Sequence, residues 1–478
     1  MLVKVAQVCI IYAHPSRSTV RKLRDLLASY YTVWWDEDLH SGDYRAEIER
    51  QLATAGCVVP VWCRIARADK DVVDEASYAE RHSIPLAPVK IEDVDSPLGF
   101  ASLHTVDLNG WSGDLADPRL AVLLKNLGKV LQKEPRLLPR LEELSIGKSR
   151  FSTPELFRSV SSHETALQPE SAVRALSLYG KDPVLVSAYD IFNEEHRDAI
   201  LRDLEQCRSA GRPVLLDSGN YEASRKGDKE WTVERLHEAM QHPSYDMAFC
   251  FDELNTGPDV EGVFRSVVSS VERDSRKTSR PVLPIVHAPR SEENGLARVD
   301  FMPELLKRLS RELRPALVAL PERELGPGLL ARAKTMYAIR RALDDLGFYQ
   351  PIHLLGTGNP LSIAVLAAVG ADCFDGLEWC RTVADHETGR LYHFQQYDFF
   401  GWQTKLADSQ VVRDARDSDK IEFAGKVIFH NLEFFSNWMS ELRVHLHTGK
   451  IERFLTDKLP GRADGMKQLE QAVPEIFS

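Results

Sequence analysis

Most of what would tie this chain to a membrane, to the cell exterior or to a nucleic-acid backbone is missing from it. No apolar run reaches about 18 residues, the length a spanning helix needs, so no transmembrane helix is expected. The seven cysteines, at positions 9, 57, 63, 207, 250, 373 and 380, form no CxxC or CxC pair. That scatter argues against a disulfide framework and predicts reduced core thiols in a cytoplasmic protein. The opening residues MLVKVAQVCIIYAHPS hold an apolar run of strand length with no small-residue cleavage site behind it, so a first strand is expected there, not an export signal. Positive charge is in deficit as well: 60 Lys and Arg face 71 Asp and Glu, a net charge of -11. Generic, charge-driven binding to nucleic acid is therefore disfavoured, which leaves small molecules or proteins as the expected partners. What is present is ordinary globular composition over 478 residues, 43% hydrophobic and 27% charged, enough for two or three domains.

Residues 1–131 alternate β-type runs (5–12, 31–35, 57–63, 85–91, 103–108) with helical periodicity over 18–29, 44–55 and 70–81. A last helix begins after Asp117-Pro118, a start pair. Five strands with helices between them predict a doubly wound, flavodoxin-like α/β domain whose ligands sit where strands end.

Three stretches here resemble the bacterial TIR domain. They are VCIIYAHPS, VWWDEDLHSGDYRAEIERQLATAGCVVPVWC, and DKDVVDEASYAERHSIPLAPVKI with its later Asn109-Gly110-Trp111 ending. The second is the most specific, because Trp35-Asp36 followed by Leu39 and Gly42 matches the family's BB loop in residue type and spacing. The resemblance implies NAD+ as a substrate, cleaved at the nicotinamide-ribose bond by one glutamate on the helix after the third strand, here Glu75. It also implies self-association through the BB loop, Asp36 to Tyr44, with Asp36 and Gly42 at the substrate site. Taken alone, Glu75 would be a solvated helix residue beside Asp71, Asp74 and Glu80. Asp69 and Asp71 stand where the family has Ser and Trp, which adds negative charge. Tyr12 and Trp35 could offer aromatic surfaces to a nicotinamide or adenine ring, or simply pack in the core.

Residues 132–168 are rich in Pro, Ser and charge and carry two short apolar helical patches, so they read as a linker with short helices that docks on something. Lys133, Arg136, Arg140, Lys148 and Arg150 read as its solvated face.

Over 169–478, apolar runs are each closed by a polar residue or glycine: Asp190, Asp217, Asp252, His287, Glu322, Gly356 and Asp375. Asp217, Asp252, His287 and Glu322 follow one another at intervals of 35 residues, about the length of one βα unit. With an eighth strand expected at 391–395, the pattern predicts a (β/α)8 TIM-type barrel whose strand ends converge. That convergence weakens the plain alternative for Asp375, a helix cap.

The same region resembles the queuine and archaeosine tRNA-ribosyltransferases, the tRNA-guanine transglycosylases. Asp217-Ser218-Gly219-Asn220-Tyr221-Glu222 is similar to the family's DSGGYQ, Phe251-Asp252-Glu253 to its FDE, Gly356-Thr357-Gly358 to its glycine turn, and 370–375 to its G-x-D-x-F-D. The resemblance implies Asp375 as the nucleophile at C1', Asp217 as the carboxylate that manages the base's proton, and Asp252 as the group that recognises the purine. Ser218, Tyr221, Gly356 and Gly358 would complete substrate binding. Between Asp375 and His430 only Cys380 occurs where the family has three zinc cysteines, so no metal is expected. Ala316-Leu317 replaces a glycine pair ahead of Glu322, and the chain is acidic, which argues against tRNA as a substrate.

The expected function is thus a TIR-type NAD+ hydrolase of antiphage defence, with the barrel sensing a purine nucleoside or modified base. One alternative is a base-exchanging or base-removing enzyme centred on the barrel. The other is a non-enzymatic scaffold.

Overall fold

The computed structural model of the protein describes residues 8–28, 30–36, 44–114, 117–131, 140–163, 165, 167–254 and 257–474. The chain divides into two compact units, residues 1–139 with 344–349 and residues 140–343 with 350–478.

The first unit is a parallel sheet of β1 (Val8–Tyr12), β2 (Val33–Trp34), β3 (Cys57–Trp62), β4 (Val89–Lys90) and β5 (Val106–Asp107), in the order β2-β1-β3-β4-β5. This is the flavodoxin-like arrangement expected. β1 and β3 are buried at every position, because helices cover both faces of a doubly wound sheet. Val8, Ile10 and Tyr12 enter one core cluster and Cys9 and Ile11 the other, as the two-residue period of a strand requires.

The helix Lys70–Arg81 starts at Asp69, whose side chain accepts from the Asp71 N–H (3.0 Å). It buries Val72, Ala76 and Ala79, a stripe at helical spacing. Glu75 stands at the flank of that stripe and is half-buried as a result.

The second unit is built on eight parallel strands: β8 (Glu155–Val160), β9 (Val184–Ser187), β10 (Val214–Asp217), β11 (Met247–Phe249), β12 (Val282–Leu283), β13 (Val318–Pro321), β14 (Ile352–Leu355) and β15 (Cys373–Gly376). Their order is β12-β11-β10-β9-β8-β15-β14-β13, and a parallel bridge between Ile285 and Ala319 nearly closes the ring. Phe157, Leu185, Leu215, Phe249, Ile285, Ala319 and Cys373 fill the interior. The barrel is therefore a packed core with its openings at the ends.

Two parts of the sequence reading are corrected. Within 132–168, residues 132–139, 164 and 166 lie outside the described residues, and the described remainder holds no short helices ahead of Pro169. Instead β6 (Glu143–Ile146) and β7 (Ser149–Ser152) form an antiparallel hairpin, followed by β8, the barrel's first strand. Leu144, Ile146 and Phe151 join the barrel interior cluster, which explains why a hairpin forms where composition pointed to a linker. Arg140 is not on a solvated face: its Nε lies 3.1 Å from Asp372 Oδ1, and its guanidinium donates to the carbonyls of Ala367 and Ala371. The eighth strand is accordingly β8 and not 391–395. Leu391–His393 is β17, antiparallel to β16 (Thr382–Ala384), and 394–400 is a 3-10 helix.

All seven cysteines are buried and free. No helix among the described residues is long and apolar enough to cross a membrane.

Candidate functional site

In the first unit the carboxyl of Glu75 is pushed up to about 7, first by burial and then by the charges of Asp71, Asp36 and Asp69. Asp36 follows the end of β2 and accepts from the Tyr12 hydroxyl (2.6 Å), with His14 Nδ1 3.9 Å from its other oxygen. Tyr12 is thereby tied to the strand ends near Glu75, and its ring stacks on Trp35 with centroids 5.8 Å apart.

Trp35 itself is 1% exposed, with Arg24 over its ring at 5.0 Å. Its role is core packing, since an indole this enclosed offers no face to a ligand. Gly42 and most of the BB loop (37–43) lie outside the described residues.

In the barrel a cavity of about 330 Å3 opens where the strands end. Asp375, Asp217 and Asp252 all line it, together with Tyr221 and Gly356. Asp375, on β15, is fixed by three donors. The Ser159 hydroxyl donates to Oδ2 at 2.9 Å, while His353 Nε2 and the Gly356 N–H each lie 3.0 Å from Oδ1. Gly356 meets this need by turning at φ +73°, a conformation that L side chains rarely adopt.

Gly358 does not line the cavity. It allows a close approach, since a Cβ there would run into the Glu378 carboxylate and come within 3.1 Å of the Gly376 Cα. Ser218 is also absent from the lining. It is 1% exposed, its hydroxyl accepts from the Asn220 N–H, and its carbonyl accepts from the Trp231 indole. Both residues shape the loops and do not touch the cavity.

Asp217 differs from Asp375 in having one hydrogen bond, from the Gly219 N–H at 3.1 Å. Burial, then Glu222, and further Asp252 and Asp375 push its carboxyl well above the usual range, against the Gly219 N–H, which favours the ionised form. A carboxyl that resists ionisation at Asp217 and a donor-fixed carboxylate at Asp375, in one cavity, can supply the acid and the nucleophile that N-glycosidic cleavage or exchange needs.

Asp252 lies 2.6 Å from His287 Nε2. His287 Nδ1 meets Glu324 at 2.9 Å, and Glu324 also accepts from Arg290 (2.8 Å) and the Ala288 N–H (2.9 Å). Burial opposes charge on His287, but hydrogen bonds to the two carboxylates outweigh it and push its pKa up to about 9. The site thus has charge-paired and charge-crowded walls.

Sequence reasoning missed Ser159, His353 and Glu324. The signal for His353 was a lone polar residue inside the β14 apolar run IHLL. Glu324 follows the β13 run-end Glu322 by two residues.

The residues that stand where the transglycosylases have zinc ligands do not fit that metal. His430 Nε2 donates to the Ala384 carbonyl at 2.7 Å, its ring stacks on His386 with centroids 4.2 Å apart, and burial pushes its pKa down to about 4. The Cys380 thiol donates to the Leu377 carbonyl. Among the described residues no three His, Cys, Asp or Glu side chains converge as metal ligands.

The family model of the TIR domain matches residues 8–122, and the first unit is a TIR domain. The chain is also similar to tRNA-guanine(15) transglycosylases. It is 27% identical to that of Methanopyrus kandleri over 52% of this chain and 53% of that protein. With that of Archaeoglobus fulgidus it shares 22% identity over 64% of this chain and 62% of that protein. The match to the Haloferax volcanii protein is 22% identical over 71% of this chain and 67% of that one. The chain thus spans about half to two thirds of the length of these relatives. Fold and comparisons together define a TIR domain joined to a transglycosylase-like barrel.

Proposed function

We propose that the protein is a TIR-type NAD+ nucleosidase acting as an immune effector in the cytoplasm, with the barrel as the sensor of a purine nucleoside or modified base. The observation that carries this reading is Glu75. It is a half-buried carboxylate at the strand ends of the TIR unit, crowded by Asp36, Asp69 and Asp71 and held near 7. Cleaving the nicotinamide-ribose bond develops positive charge at C1', and a carboxylate in a negative field stabilises that charge. The same field suits a substrate whose nicotinamide ring is cationic. Seven reduced, buried thiols fit a cytoplasmic location.

In this reading, TIR domains associate to complete one another's sites, and a ligand in the barrel favours the associated state by a few kcal/mol. The test is nicotinamide release from NAD+ by wild-type protein and an Asp375→Ala variant, with and without candidate purine nucleosides. Loss of triggered release in the variant, restored by forced TIR association, supports the reading. Full triggered release by Asp375→Ala ends the sensor role.

A second reading is supported by Asp217 and Asp375, an acid and a nucleophile facing one cavity: base exchange or base removal on nucleosides by the barrel. A covalent glycosyl adduct on Asp375, seen as a mass shift after incubation with nucleosides, would favour it over sensing alone.

A further inference from the structure

Each carboxylate that lines the barrel cavity is engaged except one. Asp375 takes three donors and Asp217 the Gly219 N–H, while Asp252 pairs with His287 and Glu322 with Arg332 Nη1 at 2.8 Å. Glu222 faces the Ser161 and Ser187 hydroxyls. Glu378 remains. It lines the cavity and is half-buried, and among the described residues no side chain hydrogen-bonds its carboxylate.

Its place follows from the chain. β15 ends at Gly376, the residue after Asp375, and the helical turn Glu378–Arg381 begins two residues later, so the Glu378 side chain stands beside the strand that carries the nucleophile. A Cβ at Gly376 would come within 2.6 Å of Glu378 Oε2, and one at Gly358 would run into it. The two glycines therefore seat this carboxylate against bare backbone, next to Asp375. Burial pushes the carboxyl up, and Asp375 and Glu322 act in the same direction, against its own N–H and Arg381. A hydroxyl suits such a group in either protonation state, since it donates to a carboxylate and accepts from a carboxylic acid. A sugar held with C1′ at Asp375 carries its 2′-oxygen only two bonds away from that carbon. In a ribonucleoside this oxygen is a hydroxyl that replaces the water Glu378 loses; a 2′-deoxy sugar removes the water and returns nothing.

We infer that Glu378 is a specificity-determining side chain that reads the 2′-hydroxyl of the ligand's sugar, so that the barrel takes ribonucleosides and rejects 2′-deoxyribonucleosides. The inference rests on the proposed ligand-binding role of the barrel and narrows it, because DNA is then excluded as the source of the ligand.

Titration calorimetry on the full chain tests it, with nucleosides that share a base and differ in the sugar: guanosine and adenosine, each against its 2′-deoxy and 3′-deoxy forms. For a base that binds, the ribonucleoside is expected to bind at least roughly tenfold more tightly than its 2′-deoxy form, the increment of one hydrogen bond to a charged group. The 3′-deoxy form should bind as the parent does. Glu378→Met should bring the parent down to the 2′-deoxy level and leave the 2′-deoxy affinity in place. Glu378→Gln, which still donates and accepts, should keep part of the preference. A residue that only shaped the cavity would weaken both sugars alike.

Equal affinity for the two sugars, a loss on removing the 3′-hydroxyl instead of the 2′, a preference that survives Glu378→Met, or a loss shared by both sugars in that variant would each overturn the inference and leave nucleoside binding by the barrel standing. No binding of any of these nucleosides would remove both. Nicotinamide release measured in parallel separates the sensor role: ribose-selective binding with no effect on NAD+ cleavage retires that role and keeps the assignment of Glu378.

Discussion

Glu75 of the TIR unit and Asp375 of the barrel are both carboxylates placed where parallel strands end, yet their surroundings are opposite. Glu75 is surrounded by Asp71, Asp36 and Asp69 and pushed up to about 7. Asp375 is held by Ser159, His353 and Gly356, and close by, Asp252, His287, Glu324 and Arg290 form a continuous chain of alternating charge. A crowded carboxylate stores unfavourable electrostatics that a cationic transition state can release, so its worth appears in rate. A paired network places groups accurately, and its worth appears in stability when one member is removed.

The contrast is sharpest where it predicts the largest effect. Glu324→Ala leaves the His287 imidazolium with one carboxylate fewer in a buried site and should cost about 3–5 kcal/mol in denaturant unfolding of the barrel. A loss below about 1 kcal/mol would show that solvent reaches the chain. The same network carries a pH signature. Because the folded pKa of His287 is raised, its stabilising contribution is fully present below roughly pH 6.5. It is then lost as pH rises through about 9. Unfolding midpoints flat across that window would contradict the pairing.

Glu75→Gln is the counterpart. It should lower nicotinamide release by at least roughly 100-fold while leaving unfolding midpoints in place. An active, folded Glu75→Gln protein would remove Glu75 from the chemistry. Smaller again is the pH effect on the wild type. If ionised Glu75 is the working form, kcat/KM for NAD+ should climb roughly tenfold between pH 6 and 8. A bell or a falling limb in that interval would assign Glu75 to proton donation. The smallest expected effect is none. Chelators should leave the barrel's unfolding midpoint unmoved, and elemental analysis should find no stoichiometric zinc; one zinc per chain would mean that His430 and Cys380 exchange their carbonyl partners for a metal.

Much of this architecture was legible because both sheets are parallel, and a parallel strand covered on both faces announces itself as an unbroken apolar run that stops at a polar residue. Asp217, Asp252 and Asp375 were found that way. β8 was not, because its register hides charges inside the protein. Arg158 is 0% exposed against Asp182 at 3.2 Å, and Glu155 meets Arg443 at 3.1 Å. A reading based on hydrophobicity takes such a segment for surface. The support for Asp375 was hidden for a related reason. Ser159 is on β8, and His353 lies inside an apolar run where one histidine carries no pattern. Trp35 was ambiguous in sequence because an aromatic that ends a strand can face either way, and only packing against Tyr12 and Arg24 decided it.

The position of β8 between β9 and β15 has a consequence for how the molecule is made. The first barrel strand pairs with the last, and the hydroxyl that holds Asp375 belongs to Ser159, 216 residues earlier in the chain. During synthesis the TIR sheet has all its strands out of the ribosome long before this contact can form, whereas the barrel must keep β8 waiting with one edge unpaired until β15 emerges. Such distant pairing makes closure a late and slow step. The cavity around Asp375 therefore exists only in chains that have been translated through β15 and have closed the ring.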